Sequence, residues 1–194
     1  GTLQAIFEYQ SAVCRLTGMD AANASLYDGG TAIYEAMMTA LRVTRRNKVI
    51  MDSAVSPIYR KMIYSYTVNL NIEFRETPDP EGRIDREALE RILDDETAAV
   101  ILQNPNFFGT LDDHSDIAEL CRENGALLIE TFYPLSLGLL KTPREMGADI
   151  AVGEGQSLGI PLSFGGPYLG IMAAKKEYVR KMPGRIVGET VDRL

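Results

Sequence analysis

Tryptophan is absent from this chain, histidine occurs once, and cysteine occurs twice in 194 residues. With His114 alone, a Ser-His-Asp triad or a histidine-rich metal centre has little material to be built from. Cys14 and Cys121 cannot form the disulfide framework of a small secreted domain. Both fall on apolar helix stripes and read as buried free thiols. Positive charge is scarce: 20 Lys and Arg face 27 Asp and Glu, a net charge of −7. That excludes the basic surface that nucleic acid or anionic lipid requires, so neither is expected as a partner. No apolar run reaches the roughly 18 residues of a membrane span. No basic leader with an apolar stretch is visible, and a cytoplasmic setting is the expectation.

What is present is ordinary for a globular protein, with 45% hydrophobic and 24% charged residues. A chain this long buries on the order of 70% of its unfolded surface and needs no covalent staples. Its opening is unusual. Gly1 stands where a Met would, and Leu3, Ile6, Phe7, Gln10 and Val13 recur at helical spacing at once. The expectation is a piece of a longer protein.

Strands and helices alternate. The spacing predicts helices over 3–16, 32–43, 57–66, 86–93, 113–124 and 175–182. Gly18 and Gly125 close two of them, and Asp85 caps a third. Short apolar runs at 48–51, 98–102, 126–129, 150–152 and 168–173 read as strands, with a weaker one at 71–75. Several of these runs have no polar face, which means burial on both sides and a mainly parallel sheet between helices. The predicted fold class is α/β with an open, doubly wound sheet. Ligands of such sheets sit outside the carboxyl ends of the strands, so the residues after each strand carry the functional question.

Three stretches stand out. Asp28-Gly29-Gly30-Thr31 precedes a helix, whose free N–H groups and dipole suit an anion. It is neither G-x-G-x-x-G nor a Walker loop, and a plain loop-to-helix joint is the alternative. Asn104-Pro105-Asn106-Phe107-Phe108-Gly109 follows a strand. Its amides could orient a carboxylate, and its paired aromatics either fill a neighbour or cover the core. Gly153 to Pro167 carries Gly155, Gln156, Ser157, Gly165 and Gly166 in a glycine-rich turn suited to an anion or a subunit contact. Gly155-Gln156-Ser157-Leu158-Gly159 meets G-x-S-x-G, but His114 precedes it, against the hydrolase order. His114 itself, among Asp112, Asp113 and Asp116, reads as a solvated helix start rather than a metal ligand.

The chain is similar to the large domain of fold-type I pyridoxal-phosphate enzymes. More narrowly, it resembles the N-terminal half of the glycine cleavage system P-protein family. The resemblance is carried by LQAIFEYQ from Leu3, LTGMD from Leu16, ASLYDG from Ala24, QNPNFFG from Gln103, GEGQSLGIPLSFGGPYLG from Gly153 and MPGRIVGET from Met182. It covers essentially the whole chain. It implies about seven strands, one of them antiparallel, in a single large-domain fragment (1–194) of a longer subunit. Its missing parts would leave exposed apolar surface behind.

Some members of the family split into two chains, and this one resembles subunit 1. The implied reaction decarboxylates glycine on pyridoxal phosphate and passes aminomethyl to the lipoyl H-protein. The cofactor would be held by a lysine of subunit 2, in a heterotetramer. Aligned on the catalytic half, Gln156 falls at the Schiff-base lysine position, and an amide cannot form that bond. Ile129-Glu130-Thr131 lacks an Asp for the pyridine nitrogen, and Ser56 stands where a ring-stacking His is expected. So no catalytic residue, no covalent cofactor and no metal are expected on this chain, which alone should be inactive. Asp28 to Thr31 would be a vestigial phosphate turn. Asn104, Asn106, Phe107, Phe108, Gly155, Gln156, Ser157, Gly165 and Gly166 would face substrate or the partner subunit. The alternatives are a degenerate scaffold or regulator of the same fold, and a stand-alone aminotransferase-like enzyme.

Overall fold

The computed structural model describes residues 1–191. A seven-stranded sheet runs β1 (Ala21–Ala22), β7 (Gly170–Ala174), β6 (Ile150–Glu154), β5 (Leu127–Phe132), β4 (Thr97–Asn104), β2 (Lys48–Asp52), β3 (Glu73–Thr77). Only β7 opposes its neighbours; the β6–β5–β4–β2–β3 ladder is parallel throughout. The fold class and the single antiparallel strand agree with the sequence reading.

Helices cover both faces. Val13 of α1 (Thr2–Thr17), Leu89 of α4 (Arg86–Ile92), and Ile117 and Cys121 of α5 (Ser115–Glu123) pack with Ile50, Leu102, Leu128 and Phe132 on one face. Ile33, Ala36 and Met37 of α2 (Gly29–Thr44), with Ile63 of α3 (Pro57–Thr67), cover Val49, Met51, Ile101, Ile129 and Val152 on the other. The alternation of 100, 102 against 99, 101 places successive side chains on opposite faces, each buried. This is why β4 shows no polar face in the sequence.

Caps behave as the sequence implies. Asp85 accepts from the Ala88 N–H, Pro57 opens α3, and Gly18 ends α1 at φ 74°. Two expectations differ. β1 is a strand of two alanines, too short to show a period, and it exists because Ala21 and Ala22 pair with Ala174 and Ala173. The segment at Lys176–Lys181 is a 3₁₀-helix rather than an α-helix.

The order of strands reverses between β2 and β4, since the chain leaves β2 outward to β3 and returns on the other side. The loops leaving β2 and β4 meet there, with the Phe107 N–H donating to the Ala54 carbonyl at 2.9 Å.

Candidate functional site

Asp28, Gly29, Gly30 and Thr31 form the entry to α2. One Asp28 oxygen accepts from the Thr31 N–H at 2.8 Å and the other from the Thr31 hydroxyl at 3.1 Å. The Gly29 N–H donates to Glu154 Oε2 at 2.9 Å, and Glu154 is the last residue of β6. The other Glu154 oxygen accepts from the Gln156 N–H at 3.0 Å and the Leu169 N–H at 2.9 Å. Tyr59 closes the same corner: a Cβ at Gly29 would lie 2.8 Å from its hydroxyl. A Cβ at Gly30 would lie 2.7 Å from Met62 Sδ. Burial, then the nearby Glu154, Asp28 and Tyr168, push the Tyr59 hydroxyl up to about 12.

In the loop after β4, Asn104 is buried and exchanges hydrogen bonds with the Asp112 backbone. Asn106 donates to the Gly82 carbonyl at 2.7 Å and accepts from the Phe108 and Thr110 N–H groups. Both amides thus hold the loop. Phe107 and Phe108 stack edge to face and stay exposed, so neither covers the core.

After β6, a 3₁₀ turn at Gln156–Leu158 carries two polar atoms sealed from solvent without a partner, Gln156 Nε2 and Ser157 Oγ. Thr131 Oγ1 of β5 is a third. Gly155 packs against Leu169 and Ile171, and the run then turns outward. Leu162, Phe164 and Gly165 lie exposed there, with Gly166 half-buried. Tyr27, Leu139 and Tyr168 add further exposed apolar surface.

His114 corrects the sequence reading. It is buried rather than solvated, with Nδ1 2.9 Å from Glu130 Oε2, and Glu130 is fully buried in β5. Asp112 and Asp113, its acidic neighbours in sequence, turn instead to Arg86 and Lys141. Burial alone would lower the imidazole's proton affinity, but the Glu130 carboxylate outweighs it and holds the pKa above its usual value. Of the two thiols, Cys121 is buried as expected, while Cys14 is only half-buried. No helix among the described residues is long and apolar enough to cross a membrane.

Sequence reasoning missed Glu154 as a functional position. It lies in the quoted glycine-rich stretch, but its contact with Gly29 spans 125 residues. The only local signal is a carboxylate at a strand's carboxyl end, beside glycines.

The residues present do not fit a phosphate-bearing pyridine cofactor. Carboxylates already take the Gly29 and Thr31 N–H groups, and Tyr59 and Met62 fill the space beside the two glycines. At the crevice between β2 and β4, the Ser56 N–H donates to Gln103 Oε1 at 2.9 Å. Lys48 and Lys175 are paired with Asp94 and Asp149, Lys61 lies on α3, and Gln156 follows β6.

Comparison with known proteins gives a consistent result. The sequence model of the family described as glycine cleavage system P-protein matches residues 1–194. The chain is 61% identical over 193 residues to a probable glycine dehydrogenase (decarboxylating) subunit 1 of Geotalea uraniireducens, covering 100% of this chain and 44% of that protein. The corresponding protein of Oleidesulfovibrio alaskensis is 59% identical, with 99% of this chain and 43% of that one covered. The chain thus spans less than half the length of these relatives. A crystal structure of glycine decarboxylase (P-protein) of the glycine cleavage system, in inhibitor-bound form, superposes with a TM-score of 0.92 at 46% identity. It covers 98% of this chain and 43% of that one. A sphingosine-1-phosphate lyase of Burkholderia pseudomallei, 16% identical, shares the fold at a TM-score of 0.72 over 93% of this chain and 47% of its own.

Proposed function

The chain belongs to the glycine cleavage system P-protein family, and we propose that it is the half of a two-subunit glycine dehydrogenase (decarboxylating) that does not bear the cofactor lysine. In this reading it is a single large-domain fragment of subunit 1. Subunit 2 holds pyridoxal phosphate through its own lysine. The complex decarboxylates glycine and passes aminomethyl to the lipoyl H-protein in the cytoplasm. The reading is supported by whole-chain family identity together with Gln156, an amide rather than a lysine, directly after β6. An amide side chain has no nucleophilic nitrogen for a carbonyl.

The contribution of this chain is then structural. Phe107, Phe108 and the run from Gly155 to Gly166 pack against subunit 2 and shape the mouth of its site. Their support is position: they leave β4 and β6 at the carboxyl end, and several are apolar and exposed. Exposed apolar side chains on such loops suit an interaction site. Asn104 and Asn106 hold the first of these loops in shape.

Co-purification of the full-length subunit with its lysine-bearing partner, followed by glycine–bicarbonate exchange, tests the reading. Exchange is expected only on mixing. Exchange by this subunit alone, or none in the isolated complex with H-protein, overturns it.

A further inference from the structure

A helix N-terminus attracts an anion through its unpaired N–H groups and its dipole. At α2 that anion is supplied from within. Glu154 places one carboxylate oxygen on the Gly29 N–H at 2.9 Å and the other on the N–H groups of Gln156 and Leu169. These three donors belong to three segments: the start of α2, the turn after β6 and the approach to β7. A fourth contact joins two of them, as the Gly155 N–H donates to the Leu169 carbonyl at 2.7 Å.

Asp28 stands on the same helix end and takes the Thr31 N–H. A phosphate arriving there would meet two carboxylates where it needs donors. The lack of a side chain at Gly29 and Gly30 leaves no open space either, because Tyr59 and Met62 occupy it. Reading this cradle as a former phosphate site rests on the family membership above.

We propose that Glu154 is the resident anion of the α2 cradle, a positioning residue that ties the glycine-rich run to the helix and closes this half of the enzyme to phosphate-bearing ligands. The position of the run from Gln156 to Leu169 is therefore set by one carboxylate on its two ends. Removing the carboxylate frees three convergent N–H groups and should reopen an anion site.

The test uses the full-length subunit with inorganic phosphate and formate as probes, and chloride at matched ionic strength as control. Wild type should show no saturable change in thermal midpoint with either probe. Glu154→Ala should melt lower by about 1–2 °C, the shift that one or two kcal/mol gives in a subunit of this length. It should then recover part of the loss with half-saturation in the millimolar range. Glu154→Ser, which also removes the carboxylate, takes its place if the alanine variant does not fold. A wild type that responds to phosphate as strongly as the variant overturns the proposal, as does a folded variant that ignores both anions.

None of these measurements requires subunit 2 or glycine turnover. Failure of exchange with the anion response intact would strike only the functional reading above.

Discussion

His114 Nδ1 and Glu130 Oε2 stand 2.9 Å apart inside the protein, with both side chains excluded from water. Glu130 shares its face of β5 with Leu128 and Phe132, so its carboxylate sits among apolar neighbours. A buried pair of this kind contributes little net stability, but breaking it leaves one charge without a partner. His114→Ala should therefore cost about 3–5 kcal/mol. His114→Ala combined with Glu130→Leu should cost much less than that single change, because no charge remains buried. Urea unfolding of the single and double variants measures the coupling.

Asp52, at the end of β2, gives a pH-dependent prediction. Burial pushes its carboxyl up to about 6, with Asp79 adding to the effect. The Thr77 hydroxyl, the Ala54 N–H and His114 oppose it. Because the folded state holds this proton more tightly than the unfolded chain, stability is present below about 4 and lost as pH rises through about 6. His114 acts in the same direction: its raised pKa gives stability that is full below about 6.5 and fades as pH rises through the folded value. Asp52→Asn keeps an acceptor for Thr77 without the charge. Relative to wild type, it should gain on the order of 2–3 kcal/mol between pH 4 and pH 7. Denaturant midpoints across that range check the slope, and a constant difference would contradict it.

Much of this architecture was legible because burial leaves a mark on sequence. Ala98 to Leu102 has no polar residue, and only a two-sided strand tolerates that. Asp85 and Pro57 announce helix starts through local chemistry. What was not legible depends on partners distant along the chain. His114 sits in a run of aspartates that suggests water, yet its partner is 16 residues away on a strand. β1 has no pattern of its own and is defined by β7. Glu154 looks like a strand-end charge until the fold brings α2 to it. Asn104 and Asn106 read in the sequence as amides able to orient a ligand oxygen, while in the fold they bond backbone groups of Asp112 and Gly82.

Glycines separate steric from conformational demands. At Gly170, a Cβ would lie 2.5 Å from the Asp28 carbonyl oxygen and 2.9 Å from Leu26 Cβ. Gly170 also exchanges two backbone hydrogen bonds with Leu26, so neither chain can retreat freely. Gly170→Ala should cost about 1–3 kcal/mol by overpacking. Gly138 has open space around it and needs no left-handed backbone. Gly138→Ala should be neutral or stabilising by up to about 1 kcal/mol, through a less flexible unfolded chain. Thermal unfolding of the two variants should rank them in this order. Equal midpoints would show that β7 can move away from the α2 entry.

Phe164 sets stability against assembly. It is fully exposed, and its backbone lies at φ 61°, a left-handed conformation that a residue with a Cβ adopts at a cost of roughly 1–2 kcal/mol. No described residue repays that strain by burying the ring. Contact with a partner subunit would. Phe164→Gly should therefore raise the stability of the isolated subunit by up to about 1 kcal/mol. At the same time it should weaken pairing with the lysine-bearing subunit by about tenfold or more, as expected for a central aromatic anchor. Thermal melts of the subunit and sedimentation of the mixture give the two numbers. Opposite signs support the interface at the glycine-rich run. A stabilised variant that pairs as tightly as wild type would place the interface elsewhere on the surface.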